Sequence, residues 1–146
     1  MYRSKCALAS FLDHFGDKWS LLILRDLFIE KKTFNDFLSS DEGIASNVLT
    51  NRIKSLMKDG LIDYKINPNN KKVKWYYLTD KAVDVYPVII EMVKWSDKNI
   101  DEEFGPITKQ WIKENNTGST EYVSNNKIKK YINFRNQLFA KSLIKK

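Results

Sequence analysis

The stretch GIASNVLTNRIKSLMKDG, residues 43–60, decides the fold. Ile44, Val48, Leu49, Ile53, Leu56 and Met57 recur at helical spacing and define one apolar face. Ser46, Asn47, Thr50, Asn51, Lys54 and Lys58 fall on the other side. Short amides and hydroxyls lie toward the amino end and lysines toward the carboxyl end. A helix that reads DNA needs this order, with compact donors and acceptors at the tip that enters the major groove and cations where it passes the phosphates. An amphipathic helix with a merely solvated polar face has the same periodicity, so the neighbouring segments have to decide between the two. Gly60 ends the helix, and Leu61-Ile62 begins an extended segment.

Downstream, the period changes from helical to alternating. Leu61 to Ile66 predicts a strand, Asn67-Pro68-Asn69-Asn70 a turn, and Lys71 to Leu78 a second strand rich in aromatic residues. This hairpin carries Lys65, Lys71, Lys72 and Lys74, expected beside the reading helix where the phosphates or minor groove of a duplex would lie. Upstream, residues 7–15 predict a short helix with Ala7, Leu8, Phe11, Leu12 and Phe15 on one face. Asp17 is placed to cap a second helix, striped by Trp19, Leu22, Ile23, Leu27 and Phe28. Thr33-Phe34-Asn35-Asp36 has the spacing of a capping box and opens a helix of one or two turns. Two helices with a short connection, then a hairpin, make a winged helix-turn-helix.

The rest of the chain predicts a long helix from Thr79-Asp80 to about Asn99, kinked at Pro87, whose surplus apolar surface suits a dimer interface. A boundary falls at DEEFGP, residues 101–106. Beyond it come a short helix around Trp111, a linker NNTGST, and an amphipathic helix from Lys127 to Lys146 with Ile128, Tyr131, Ile132, Leu138, Phe139 and Leu143 inward. The expected fold class is mainly α with a small β-hairpin. Residues 1–100 form the DNA-binding and dimerisation domain, and residues 101–146 a helical extension. That extension is expected to pack on the domain with an accessory electrostatic role; clamping DNA and lying on a membrane are the competing roles.

Charge is clustered within the +7 total. Residues 51–75 hold seven Lys/Arg against two Asp/Glu, and residues 127–146 hold seven against none. Such blocks suit a polyanion, most commonly nucleic acid. The single cysteine, Cys6, excludes an internal disulfide and fits a reducing cytosol. No apolar run is long enough to span a bilayer, and the start lacks a signal-peptide pattern, so a cytoplasmic location is expected. There is no glycine-rich phosphate loop, no metal-ligand cluster and no nucleophile spaced with a base, so neither catalysis nor a cofactor is expected. His14, the only histidine, is expected to pack or lie at the surface.

Taken together, Asp17-Lys18-Trp19, Leu21 to Leu27, Phe34-Asn35-Asp36-Phe37, Gly43-Ile44, Val48 to Ile53, Asp59 to Ile62, Tyr76 to Thr79 and Trp95 resemble the HxlR-type winged helix-turn-helix regulators, relatives in fold of the MarR group. The resemblance covers about residues 5–98. It implies a dimeric transcription regulator, often a repressor, whose helix matching Ala45–Lys58 enters the major groove and whose dimer uses the first helix and the long helix after the wing. Departures are Ala45 where the family starts the reading helix with Ser, so that Ser46 is expected to take the cap; Thr33 where an Arg is common; Lys74 at a usually apolar wing position; and Cys6-Ala7 in place of Cys-Pro. In some members the amino-terminal cysteine senses oxidants or electrophiles. Cys6 matches that position, with Lys5 and Arg3 placing positive charge nearby, and a buried inert thiol is the alternative.

The expected partner is double-stranded DNA with a palindromic operator, bound by a homodimer with its helices about 34 Å apart, with a small-molecule or redox effector. Asn47, Thr50 and Asn51 are the candidates for base edges. Ser46, Arg52 and Lys54, with Lys71 and Lys72 of the wing, are the candidates for phosphates. Arg52 has a second reading as an ion-pair partner of Asp36 or Asp59. A winged-helix module that binds an acidic protein is the competing function.

Overall fold

The structure, a computed structural model, describes residues 2–144, with side chains through Lys141. In chain order the elements are α1 (Ala7–Phe15), α2 (Ser20–Phe28), α3 (Phe34–Leu38), α4 (Ser46–Lys58), β1 (Ile62–Ile66), β2 (Lys74–Leu78), α5 (Asp80–Val83), α6 (Tyr86–Asn99), α7 (Pro106–Asn115) and α8 (Thr120–Ile144). This is a winged helix-turn-helix followed by two further helices. The predicted apolar position Leu143 and the predicted helix end at Lys146 lie outside the described side chains and residues, respectively.

The core forms where the apolar faces of α2, α4 and the hairpin meet. Leu24, Leu27, Leu49 and Leu78 are fully buried, with Phe37, Leu56 and Ile62 beside them. β1 and β2 pair antiparallel in the register Ile62↔Leu78, Tyr64↔Tyr76 and Ile66↔Lys74. Side chains alternate across a strand, so Ile62, Tyr76 and Leu78 turn inward while Lys65, Trp75 and Tyr77 take the other face. The hairpin is anchored to the helical body by a backbone hydrogen bond outside the sheet: Tyr76 N donates to the carbonyl of Lys32 at 2.7 Å.

Three predicted boundaries change. The long helix predicted after the wing is two helices, because the chain turns at Asp84-Val85 and Pro87 sits in the first turn of α6 rather than inside a helix. Proline is tolerated there, where the N–H it lacks has no partner in the helix. The second strand starts at Lys74, not Lys71, because Asn67 N bonds to Val73 O at 2.9 Å and closes a longer tip. The last helix starts at Thr120, and the supposed linker is a short turn in which Ser119 Oγ accepts from Tyr122 N at 3.1 Å.

Trp111 of α7 and Tyr131 of α8 share the buried cluster of the winged portion. The Tyr131 hydroxyl accepts from Leu78 N at 2.8 Å in a buried site, and burial pushes its pKa up to about 12. Replacing Tyr131 with Phe leaves that N–H without a partner and should destabilise the protein by about 1–3 kcal/mol. Urea unfolding measures this; an unchanged midpoint would show that α8 does not support the hairpin in solution.

Candidate nucleic-acid interface

The site begins with how α3 and α4 are held. α3 opens with a complete capping box. Thr33 Oγ1 accepts from Asp36 N at 3.1 Å, and Asp36 Oδ2 accepts from Thr33 N at 3.0 Å and Lys32 N at 3.1 Å. Burial raises the Asp36 pKa, but these hydrogen bonds outweigh it and leave the carboxyl below its usual range.

The turn between α3 and α4 is fixed by a charged cluster that sequence reasoning did not assign a role. Arg25 donates to both carboxylate oxygens of Glu42, at 2.9 and 2.8 Å, and to Asp26 Oδ1 at 2.9 and 3.1 Å. Ser40 Oγ donates to the other oxygen of Asp26, and Lys31 Nζ reaches Ser40 Oγ at 3.2 Å. Both ends of the turn are thereby tied to the buried helix α2. Arg-Asp in the middle of the apolar run LLILRDLF was the available signal, since charges inside such a run need partners. Gly43, at φ +71°, takes the left-handed conformation the turn requires.

α4 starts at Ser46, with Ala45 at the cap position and no side chain capping the first turn. Ser46 therefore does not take over the cap; extended backbone at Ala45 sets the start one residue earlier. Ser46, Asn47, Thr50, Asn51 and Lys54 are all exposed, and Leu49, Ile53 and Leu56 are buried on the opposite face. The Thr50 hydroxyl donates to Ser46 O at 2.9 Å, leaving its oxygen and methyl facing outward. At the far end Gly60, at φ +72°, ends the helix, with Leu61 N bonding to Leu56 O at 2.9 Å.

Arg52 is half-buried and pairs with Asp17, Nη1 to Oδ1 at 3.7 Å, not with Asp36 or Asp59. Asp36 is occupied by its capping box. Asp59 accepts from His14 Nδ1 at 2.8 Å, which also gives His14 its place. Asp17 holds the start of α2 through Trp19 N and Ser20 N, both at 2.9 Å. Burial raises its pKa, but hydrogen bonds from Ser20 and Trp19 leave it lowered overall. A partly exposed pair at this distance is weak, so it does not commit Arg52 to Asp17.

Lys71 and Lys72 are exposed at the hairpin tip. The tip is shaped by asparagine side chains: Asn69 N donates to Asn67 Oδ1 at 2.8 Å and Lys72 N to Asn70 Oδ1 at 3.2 Å. A groove of about 310 Å³, lined by Thr33, Asn35, Lys72, Lys74 and Tyr76, separates the wing from the first turn of α3. Lys74 stacks over Tyr64 at 4.5 Å. Lys65 is not beside the reading helix as predicted. Strand alternation turns it to the outer face, where its Nζ donates to Leu138 O of α8 at 2.8 Å.

Cys6 is exposed at the cap position of α1. Arg3 is engaged elsewhere, its Nε donating to Asp13 at 2.6 Å. Among the described residues no helix is long and apolar enough to cross a membrane.

Comparison with known proteins gives one consistent result. A family model described as HxlR-like helix-turn-helix matches residues 14–104. The HTH-type transcriptional regulator Mb3122 of Mycobacterium bovis is 31% identical over 101 residues, covering 67% of this chain and 61% of that protein. Among solved structures, PA1607, a putative transcription factor, superposes with a TM-score of 0.64 at 30% identity over 70% of this chain and 73% of its own. The redox regulator HypR in its oxidized form superposes with a TM-score of 0.60 at 26% identity, over 66% of this chain and 100% of its own.

Proposed function

The chain belongs to the HxlR-like helix-turn-helix family, and we propose that it is a sequence-specific double-stranded DNA-binding regulator of the repressing kind, acting inside the cell as a homodimer. One observation carries this reading. Asn47, Thr50, Asn51 and Lys54 stand exposed on α4, opposite a fully packed apolar face. Asn47, Thr50 and Asn51 meet base edges, Ser46, Arg52 and Lys54 meet phosphates, and Lys71 and Lys72 take the flanking backbone. Residues 1–100 bind and dimerise, and residues 101–146 extend that body.

The homodimer is supported by exposed apolar side chains on the two elements expected to meet a second copy. Leu8 and Leu12 of α1 are 67% and 44% exposed, and Met92 and Trp95 of α6 are 51% and 62% exposed. Exposed apolar side chains on both elements suit burial against a second copy. Selection from random duplexes tests the whole reading. It should return a palindromic site bound by two chains, with affinity falling steeply as salt rises, because each neutralised phosphate contributes a log-log slope of about −0.9. A flat salt dependence would instead favour an acidic protein as the partner of the same helix and wing.

An oxidant or electrophile acting through Cys6 is a further part of the proposal. It is supported by the exposed thiol and by the similarity to HypR, a redox regulator. Diamide should release the wild type from DNA and leave Cys6→Ser bound. Release of the serine variant would remove Cys6 from the mechanism.

A further inference from the structure

The family match ends at residue 104, before α7 and α8. α8 lies across the outer face of the hairpin. At the hairpin's base, Leu78 N donates to the Tyr131 hydroxyl at 2.8 Å and Arg135 Nη1 donates to Leu78 O at 2.9 Å. Two turns on, Lys65 donates to Leu138 O at 2.8 Å, and Tyr77 meets the Phe139 ring edge-on at 5.1 Å. α8 therefore runs antiparallel to β2, from the base of the wing toward its tip. This direction carries Lys141 toward the side of the molecule where the wing meets α3.

Three amino groups from three parts of the chain gather there. Lys32, in the α2–α3 connection, places its Nζ 4.3 Å from the Trp75 ring. Lys65 of β1 approaches the same ring at 5.9 Å and Phe139 at 5.4 Å. Lys141 of α8 is close enough that burial and its charge together hold Lys32 below the usual lysine range, against the pull of Asp36. Burial also lowers Lys65. Among the described residues, no carboxylate forms a direct ion pair with any of the three, although eight other lysine or arginine side chains have one. Lys32 immediately precedes Thr33, so the cluster adjoins the groove lined by Thr33, Lys72 and Lys74.

Two amino groups on one indole, with a third cation close to one of them and no direct ion pair among the described residues, are poised for an external anion. We propose that Lys32, Lys65 and Lys141 form a second phosphate-binding site, shared between the winged portion and α8, that grips duplex backbone flanking the bases read by α4. The proposal rests on the DNA-binding reading above. It gives the basic carboxyl-terminal block a task distinct from packing, and it makes the extension a part of the DNA-binding surface.

The test is Lys32→Gln/Lys141→Gln in the full chain, assayed on the selected duplex with and without about ten extra base pairs at each end. Lys65 is left intact because it also ties β1 to α8. The double variant should bind the longer duplex about tenfold more weakly, with a salt slope shallower by about 2 per chain. On the trimmed duplex it should match the wild type. Lys109→Gln/Lys113→Gln on α7, with the same loss of charge, should change the slope little. If the double variant melts at a lower temperature, Lys141→Gln alone should still give about half the slope change. A double variant whose slope equals that of a wild type that binds its selected site would overturn the second site and leave the DNA-binding reading standing. An equal effect from the α7 pair would also overturn it, by assigning the effect to overall charge. A wild type with no salt-dependent duplex binding would remove both.

Discussion

Asn51→Ala weakens binding to the selected duplex by about 1–3 kcal/mol, roughly 5- to 150-fold, and leaves binding to unrelated duplexes unchanged. Asn51 is four residues from Asn47 and therefore on the same face of α4. It is exposed, and its amide has no partner within the protein among the described residues. A free amide can give and accept one hydrogen bond each with adenine, which alanine cannot replace. Lys72→Ala gives the contrasting result. It stands on a solvated tip and meets a charge common to every sequence, so its loss weakens all duplexes alike and lowers the salt slope by about 1. Gel-shift titrations of both variants on selected and scrambled duplexes measure the difference. If both variants bind like the wild type, the reading face is elsewhere.

Arg25→Met destabilises the protein by about 3–5 kcal/mol. Asp26 is only 3% exposed, and Arg25 is its close ion-pair partner at 2.9 Å, with Lys31 farther off at 3.9 Å. Removing the guanidinium strands a carboxylate in the core and also frees Glu42, which leaves Ser40 as the turn's remaining side-chain hydrogen bond to Asp26 of α2. DNA affinity should fall together with stability, because the angle at which α4 leaves that turn is set by these bonds. Arg25→Met/Asp26→Leu should lose less than the single variant, since a buried pair replaced by apolar side chains leaves no charge unpaired. Urea unfolding of the two variants decides it. A single variant less stable by under about 1 kcal/mol would mean that water reaches Asp26.

Features governed by local chemistry were legible in the sequence. The apolar face of α4, the capping box at Thr33 and Asp36, and the change of period after Gly60 each follow from neighbouring residues, and the structure has all three. Features set by distant segments were not legible. Lys65 looked like a wing contact because it belongs to the basic hairpin, and nothing local says that α8 covers the face it takes. Arg52, read first as a phosphate contact, had a second reading as a partner of Asp36 or Asp59, but the carboxylate it meets is Asp17, from a distant upstream segment. Pro87 suggested a kink, but the chain breaks at Asp84-Val85 and uses the proline to start α6. The early start of α8 did have a local signal. Ser119 precedes a first turn containing Glu121, but glycine and asparagine nearby made the segment look like a linker.

Whether α4 and the wing meet the duplex is read most directly by an NMR titration of the full chain with its selected duplex, following every backbone and side-chain amide. The largest shifts should fall on Ser46 to Lys54 and on Lys71 to Lys74, with the Asn47 and Asn51 side-chain amides shifting most. Shifts concentrated on the apolar face of α6, with those two amides unmoved, would contradict a reading helix at α4.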